Sequence, residues 1–240
     1  MRDIQMTLLF MASFVLSHCG TTGQAEITYP LYARGQTSST FAVSDYQVTL
    51  DVAQLGIGPI YFCTTAAASS DLCPSALAEF NNSTFVDLLN PDPQNLGTVR
   101  GLTGTIHSAT YDFGITWLAT AYSPSVSPQA PNGHSAHFEG HATRNNVTTR
   151  FILDVDITPQ TQGTRAIAGS RVNAPTLDNA HVRLDMRFNP QTWWALVPFD
   201  EVASLAGDPV TIPATSRTSN AIIVGITASA PPVFEWTTVP

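Results

Sequence analysis

Between His134 and Ile157, apolar and polar residues alternate on both sides of Asn145-Asn146, the pattern of two half-buried strands joined by a tight turn. Pairing Arg144 with Val147, as a two-residue turn requires, sets the register of the whole hairpin. Phe138 then lies opposite Leu153, Ala136 opposite Val155 and Gly140 opposite Phe151, so one face is apolar. The other face gathers His137 opposite Asp154, Glu139 opposite Ile152, His141 opposite Arg150 and Ser135 opposite Asp156.

The same period of two recurs elsewhere. Tyr46, Val48, Leu50 and Val52 alternate with polar residues until Gly56 and Gly58-Pro59, and Ile60 to Cys63 reads as a neighbouring strand. Ser75 to Phe80 reads as a helical turn, and Asn90-Pro91-Asp92-Pro93 as a loop. Thr98 to Tyr122 reads as two strands joined near Asp112-Phe113-Gly114, the second placing Ile115, Trp117, Ala119 and Ala121 on one face. Ser123 to Gly133 is a Pro-containing surface loop. Val182, Leu184, Met186 and Phe188 alternate with His181, Arg183, Asp185 and Arg187. Phe199 to Ala206 is the one helix expected, with Asp200 and Glu201 near its start and Gly207 after its end. Ala221 to Ile226 and Val233 to Val239 read as strands.

About ten strands, little helix and many Pro or Gly breaks indicate an all-β fold, an antiparallel β-sandwich with one short helix. A barrel is the competing architecture. The expected core is Val48, Leu50, Phe138, Phe151, Leu153, Val155, Leu184, Met186 and Phe188, packed across two sheets.

The N-terminus changes the picture from fold to address. An apolar run of about 11 residues, Met6 to Leu16, suits a signal peptide and is too short to span a bilayer. It closes on Leu16-Ser17-His18-Cys19, which resembles the bacterial lipoprotein signal, where the chain is cut before the Cys and the Cys is acylated. His18 departs from the small residue usual at that position, which leaves cleavage after Ala25 as the alternative. The resemblance implies a signal peptide over residues 1–18, a flexible tether over 19–26 and a single β-domain over 27–240, held in the cell envelope as an outer-membrane lipoprotein. With Cys19 lipidated, the two other cysteines, Cys63 and Cys73, are expected to form a disulfide.

Net charge is −8 and all ten basic residues are Arg, so nucleic acid is not an expected partner, and contact with a bilayer is expected through the acyl anchor alone. Recognised catalytic patterns fail on geometry. His137-Phe138-Glu139-Gly140-His141 is not His-Glu-x-x-His, and on a strand its two His lie about 13 Å apart, too far for one ion. No Gly-x-Ser-x-Gly occurs, and the His-x-Glu of zinc deaminases lacks its Pro-Cys-x-x-Cys partner. A glycosidase needs only two carboxylates about 5 to 10 Å apart, which sequence does not exclude. The sequons at Asn81, Asn82 and Asn146 matter only in a eukaryotic secretory route.

The expected function is therefore an envelope protein acting as a binding or structural module, not a catalyst, for an envelope protein or a small ligand. A zinc- or copper-binding protein is the alternative, and a secreted hydrolase comes third. No resident cofactor is expected under the first reading. Under the second, a divalent transition metal would sit on His137, Glu139 and Asp154, completed by His107 or His181, with His141 left to a separate site; the ordinary account of the same residues is a solvated cross-strand pair of His137 with Asp154. Trp193-Trp194 is a candidate binding surface, against the ordinary reading of one Trp in the core and its neighbour at the rim.

Overall fold

A computed structural model describes residues 23–36, 38–66, 76–116, 124–159, 169–172, 174, 176–178 and 182–239. Cys19, Cys73, Ser75, Trp117, Ala119, Ala121 and His181 fall outside that set.

The hairpin is built as its pattern demands. Ala136–Arg144 and Val147–Val155 pair with His137 opposite Asp154, Phe138 opposite Leu153 and Arg144 opposite Val147. Asn145 and Asn146 take φ of 50° and 61°, the left-handed pair that a two-residue turn needs and that Asn tolerates.

In chain order the strands begin with β1 (Glu26–Arg34), β2 (Thr40–Val43), β3 (Tyr46–Ile57), β4 (Ile60–Cys63), β5 (Ala76–Phe80) and β6 (Thr84–Asp87). Then come β7 (Gln94–Leu102), β8 (Gly104–Thr105), β9 (Ser108–Tyr111), β10 (Ile115–Thr116) and β11 (Ser125–Val126). The hairpin supplies β12 and β13, followed by β14 (Ser170–Arg171), β15 (Thr176–Leu177) and β16 (Val182–Arg187). The last part holds α1 (Pro190–Trp193), α2 (Phe199–Ser204), β17 (Val210–Thr211), α3 (Arg217–Val224) and β18 (Val233–Thr238).

Two sheets carry most of this. One runs β14-β9-β4-β5-β7-β1-β16-β18, and the other β17-β13-β12-β3-β2 with β6 also on β3. Both feed one apolar core, and every core residue expected from alternation is buried, from Val48 and Leu153 on one sheet to Leu184 and Met186 on the other. The all-β class holds, but the described residues form three α-helices where one was expected, and the sheets are not wholly antiparallel: β1 pairs with β16, and β13 with β17, in parallel. These strands lie far apart in sequence, so no hairpin turn could have revealed their direction.

Four local expectations are corrected. Ala76–Phe80 is a strand between β4 and β7, because burial of Leu77, Ala78 and Phe80 in the sheet outweighs the helical propensity of its Ala and Leu. Val52 does not share the face of Val48 and Leu50. The register of β3 against β12 slips between Glu139 and Gly140, and from there Ala53, Leu55 and Ile57 turn inward. The strand also continues through Gly56, and the chain leaves for the other sheet only at Gly58, whose φ is +100°.

The fourth correction is Ala221 to Ile226, which is helical: α3 and a π-turn over Gly225–Ser229. Ser216 caps it, accepting from the Ser219 N–H at 3.0 Å, and the buried positions Thr218, Ile222, Gly225 and Ile226 recur at helical spacing. A Cβ on Gly225 would meet Trp193 Cα at 2.6 Å, so this glycine lets the π-turn seat against α1.

On the outer side of the eight-stranded sheet Asp185, with only 5% of its side chain exposed, accepts a two-pronged contact from Arg183 at 2.6 and 2.8 Å and a further bond from Arg34 at 3.2 Å. Arg183 in turn lies 4.4 Å over the Tyr32 ring. Burial pushes the Asp185 carboxyl up, but the two guanidiniums outweigh it and hold it below the usual carboxylate range. Its folded pKa is thus depressed, so its contribution is present above the unfolded value of about 3.9 and is lost as pH falls through the folded one. Asp185→Asn should cost about 1.5 to 3 kcal/mol at pH 7 and flatten the acid side of the stability profile. Urea melts between pH 3 and 7 check both. An unchanged pH slope in the variant would show that other carboxylates carry it.

Candidate functional site

The outward face of the hairpin brings His137, Glu139 and Asp154 together, though as a clamp rather than a metal cup. Asp154 Oδ1 lies 2.7 Å from His137 Nδ1, and Glu139 Oε1 lies 3.1 Å from Nε2. Each ring nitrogen is therefore already engaged, and the carboxylates stand on opposite edges of an imidazole that is itself buried. A metal needs its donors aimed at one open point. Among the described residues no group of three His, Cys, Asp or Glu is arranged to hold an ion. Of the two expected completing donors, His107 precedes β9 on the other sheet, and His181 lies outside the described residues.

The rest of the strip is similarly committed. His134 Nδ1 meets Asp156 at 3.0 Å, His141 Nδ1 meets Asp51 at 3.2 Å, and Arg150 donates to Asp208 at 2.9 Å. Arg144, at the hairpin tip, joins Asp200 at 2.6 Å and Asp45 at 3.3 Å while stacking 4.4 Å over Tyr46. Water and salt screen pairs this exposed, so they add little to stability and the strip is a solvated seam tying the hairpin to β3 and α2. A small cavity of about 310 Å³ beside it is lined by His134, Asp154, Asp156 and Ser219.

Trp193 and Trp194 do not form a binding surface. They are 1% and 0% exposed. Trp193 donates its indole N–H to the Ala230 carbonyl, and Trp194 packs among Phe138, Phe151 and Phe199 at ring distances of 5.3, 5.5 and 6.0 Å.

A wider concavity is one the sequence did not signal. An open groove of about 780 Å³ runs between β4–β5, the Asn81–Thr84 connection and the β10–β11 pair, with Asn81, Asn82, Thr84, Thr116, Gln129 and Glu79 on its walls. Ser83 holds one wall to the other by donating to the Ile115 carbonyl at 2.9 Å. A second groove of about 420 Å³, lined by Glu79, Arg100, Thr28 and Glu26, meets the first at Glu79. Strand register explains the meeting: Tyr61 lies opposite Glu79, Glu79 opposite Arg100 and Arg100 opposite Thr28, one row across four strands. Asn81 and Asn82 stand out in sequence only as sequons, and nothing there places them beside Gln129, 47 positions beyond Asn82.

No protein-family model and no curated protein matches the chain. Among solved structures it is similar to MbnP from Methylosinus trichosporium, with 9% sequence identity, 90% of this chain and 99% of that chain covered, and a TM-score of 0.40, a likeness that carries no argument about function.

Proposed function

We propose that the protein is exported, cut before Cys19, acylated there and held in the cell envelope, where the β-domain serves as a binding module. The groove across β4, β5 and β7 supports the binding part, because Asn81, Asn82, Thr84 and Thr116, whose side chains make no hydrogen bond among the described residues, converge on a concave surface of ligand size. Leu16-Ser17-His18-Cys19 after an apolar run supports the anchor, and the acidic, Lys-free composition leaves the acyl chain as the means of membrane contact. Mass spectrometry of the mature protein should find an N-terminal diacylglyceryl-Cys19, and Cys19→Ser should release the protein from membranes. A mature chain starting at Glu26, or a Cys19→Ser protein that stays membrane-bound, overturns the anchor.

The same assignment leaves Cys63 and Cys73 to pair with each other, closing a loop across the end of β4. On the loop-closure view such a bridge contributes roughly 2 to 3 kcal/mol. Alkylation of unfolded, unreduced protein should label neither residue. Labelling of both would refute the pairing.

A further inference from the structure

We infer that the joined grooves bind a neutral oligosaccharide, an assignment that rests on the binding reading above and names its ligand class. The chemistry of the walls selects it. Asn81, Asn82, Thr84 and Thr116 line the first groove, and no hydrogen bond to the side chain of any of them is found among the described residues. Gln129 accepts from the Ser127 hydroxyl, which leaves its amide N–H groups for a ligand. Amides and hydroxyls both donate and accept, as sugar hydroxyls do, so each ligand hydroxyl can be met in either sense.

The charges at the junction tell the same story. Glu79 and Arg100 face each other in register and line the second groove together, and neither has an ion-pair partner among the described residues. With Glu26 also on the wall of the second groove, the joined grooves carry two carboxylates and one guanidinium, a small net negative charge with no surplus of basic groups. A phosphate- or carboxylate-rich ligand would need a surplus of basic groups here, and a metal would need clustered acidic or imidazole donors. Neither is present on these walls.

A peptide is disfavoured on separate grounds. Extended peptides gain affinity by adding a strand to an open sheet edge. β4, β5 and β7 are interior strands, each hydrogen-bonded on both sides within the order β9-β4-β5-β7-β1. Their backbone groups are already used, so over these strands recognition must come from side chains; β6 and the β10–β11 pair on the other wall keep strand edges with no partner among the described residues, and the peptide pool below tests them. A chain of sugar rings lying across Glu79 would touch both grooves, while a single sugar ring would occupy only one.

The test is calorimetric titration of the full chain with hexasaccharides of β-1,4-glucose, β-1,3-glucose, α-1,4-glucose, β-1,4-xylose and β-1,4-mannose. A hexagalacturonate and a random octapeptide pool run in parallel. At least one neutral hexasaccharide should bind, weakened about tenfold by Asn82→Ala and about tenfold by Glu79→Ala, with little dependence on salt. Matching thermal melts establish that the variants are folded, and Gln129→Ala serves if either is not. Binding only of hexagalacturonate, lost in Arg100→Ala, overturns the neutral class, as does binding only of peptides. In both cases a groove that still binds keeps the binding reading intact. No binding of any probe overturns the oligosaccharide assignment and removes the support for that reading as well.

Discussion

Trp194→Ala should be the most damaging single truncation outside the strands, lowering stability by about 3 to 5 kcal/mol. The indole is 0% exposed and sits in an aromatic nest, edge-on to Phe138, tilted to Phe151 and stacked on Phe199. That nest is where β12, β13, α1 and α2 meet. Removing the ring therefore opens a cavity at the junction of the helices with the six-stranded sheet, which neighbouring backbone is poorly placed to refill. Trp194→Phe should behave quite differently. The indole N–H has no hydrogen-bond partner in its buried position, so the smaller ring loses packing but also removes an unsatisfied donor. A cost below about 1.5 kcal/mol is expected. Denaturant melts of the two variants provide the comparison. Equal, small losses would show that the ring is not part of the core, and equal, large losses that its N–H is satisfied after all.

Leu153→Ala and Leu184→Ala form the second test, each expected to cost about 2 to 5 kcal/mol. Both side chains are 0% exposed, yet they belong to different sheets: Leu153 to β13 and Leu184 to β16. Leu153 lies opposite Phe138 in the hairpin, while Leu184 lies opposite Leu31 on one side and Trp236 on the other. If the two sheets share one core, each truncation weakens the same cooperative transition. Thermal or urea melts followed by both near- and far-ultraviolet circular dichroism should then shift together in each variant. Two separable transitions, each moved by only one substitution, would contradict the shared core.

How far the sequence reaches is visible in single elements. For the hairpin, alternation and the Asn145-Asn146 turn contain everything needed: strand, face and register are local consequences of a period of two and of a left-handed turn. Val182 to Phe188 was equally legible, because one face is entirely apolar. The error at Ala221 to Ile226 has a local cause too. Ile222, Ile223 and Val224 are β-branched and suit a strand, while the Ser216 cap and the burial spacing of Thr218, Ile222 and Gly225 are the stronger signals.

Other features had no local signal. Period-two reasoning put His137, Glu139 and Asp154 on one face, and they are there, but only side-chain packing decided that the carboxylates would clamp both edges of the imidazole. For Trp193-Trp194 the sequence allows a binding platform or one ring in the core with its neighbour at the rim, and only the packing of the following chain buries both. The parallel pairing of β1 with β16 joins segments about 150 residues apart, and the groove joins Asn81 and Asn82 to Gln129 and Glu79 to Arg100. The sequence by itself determined which faces are apolar and where the chain turns, because those depend on neighbours a few bonds away. Which sheets those faces meet, and which polar groups are left unpaired on a concave surface, depends on contacts between distant segments, and only the tertiary structure decided it.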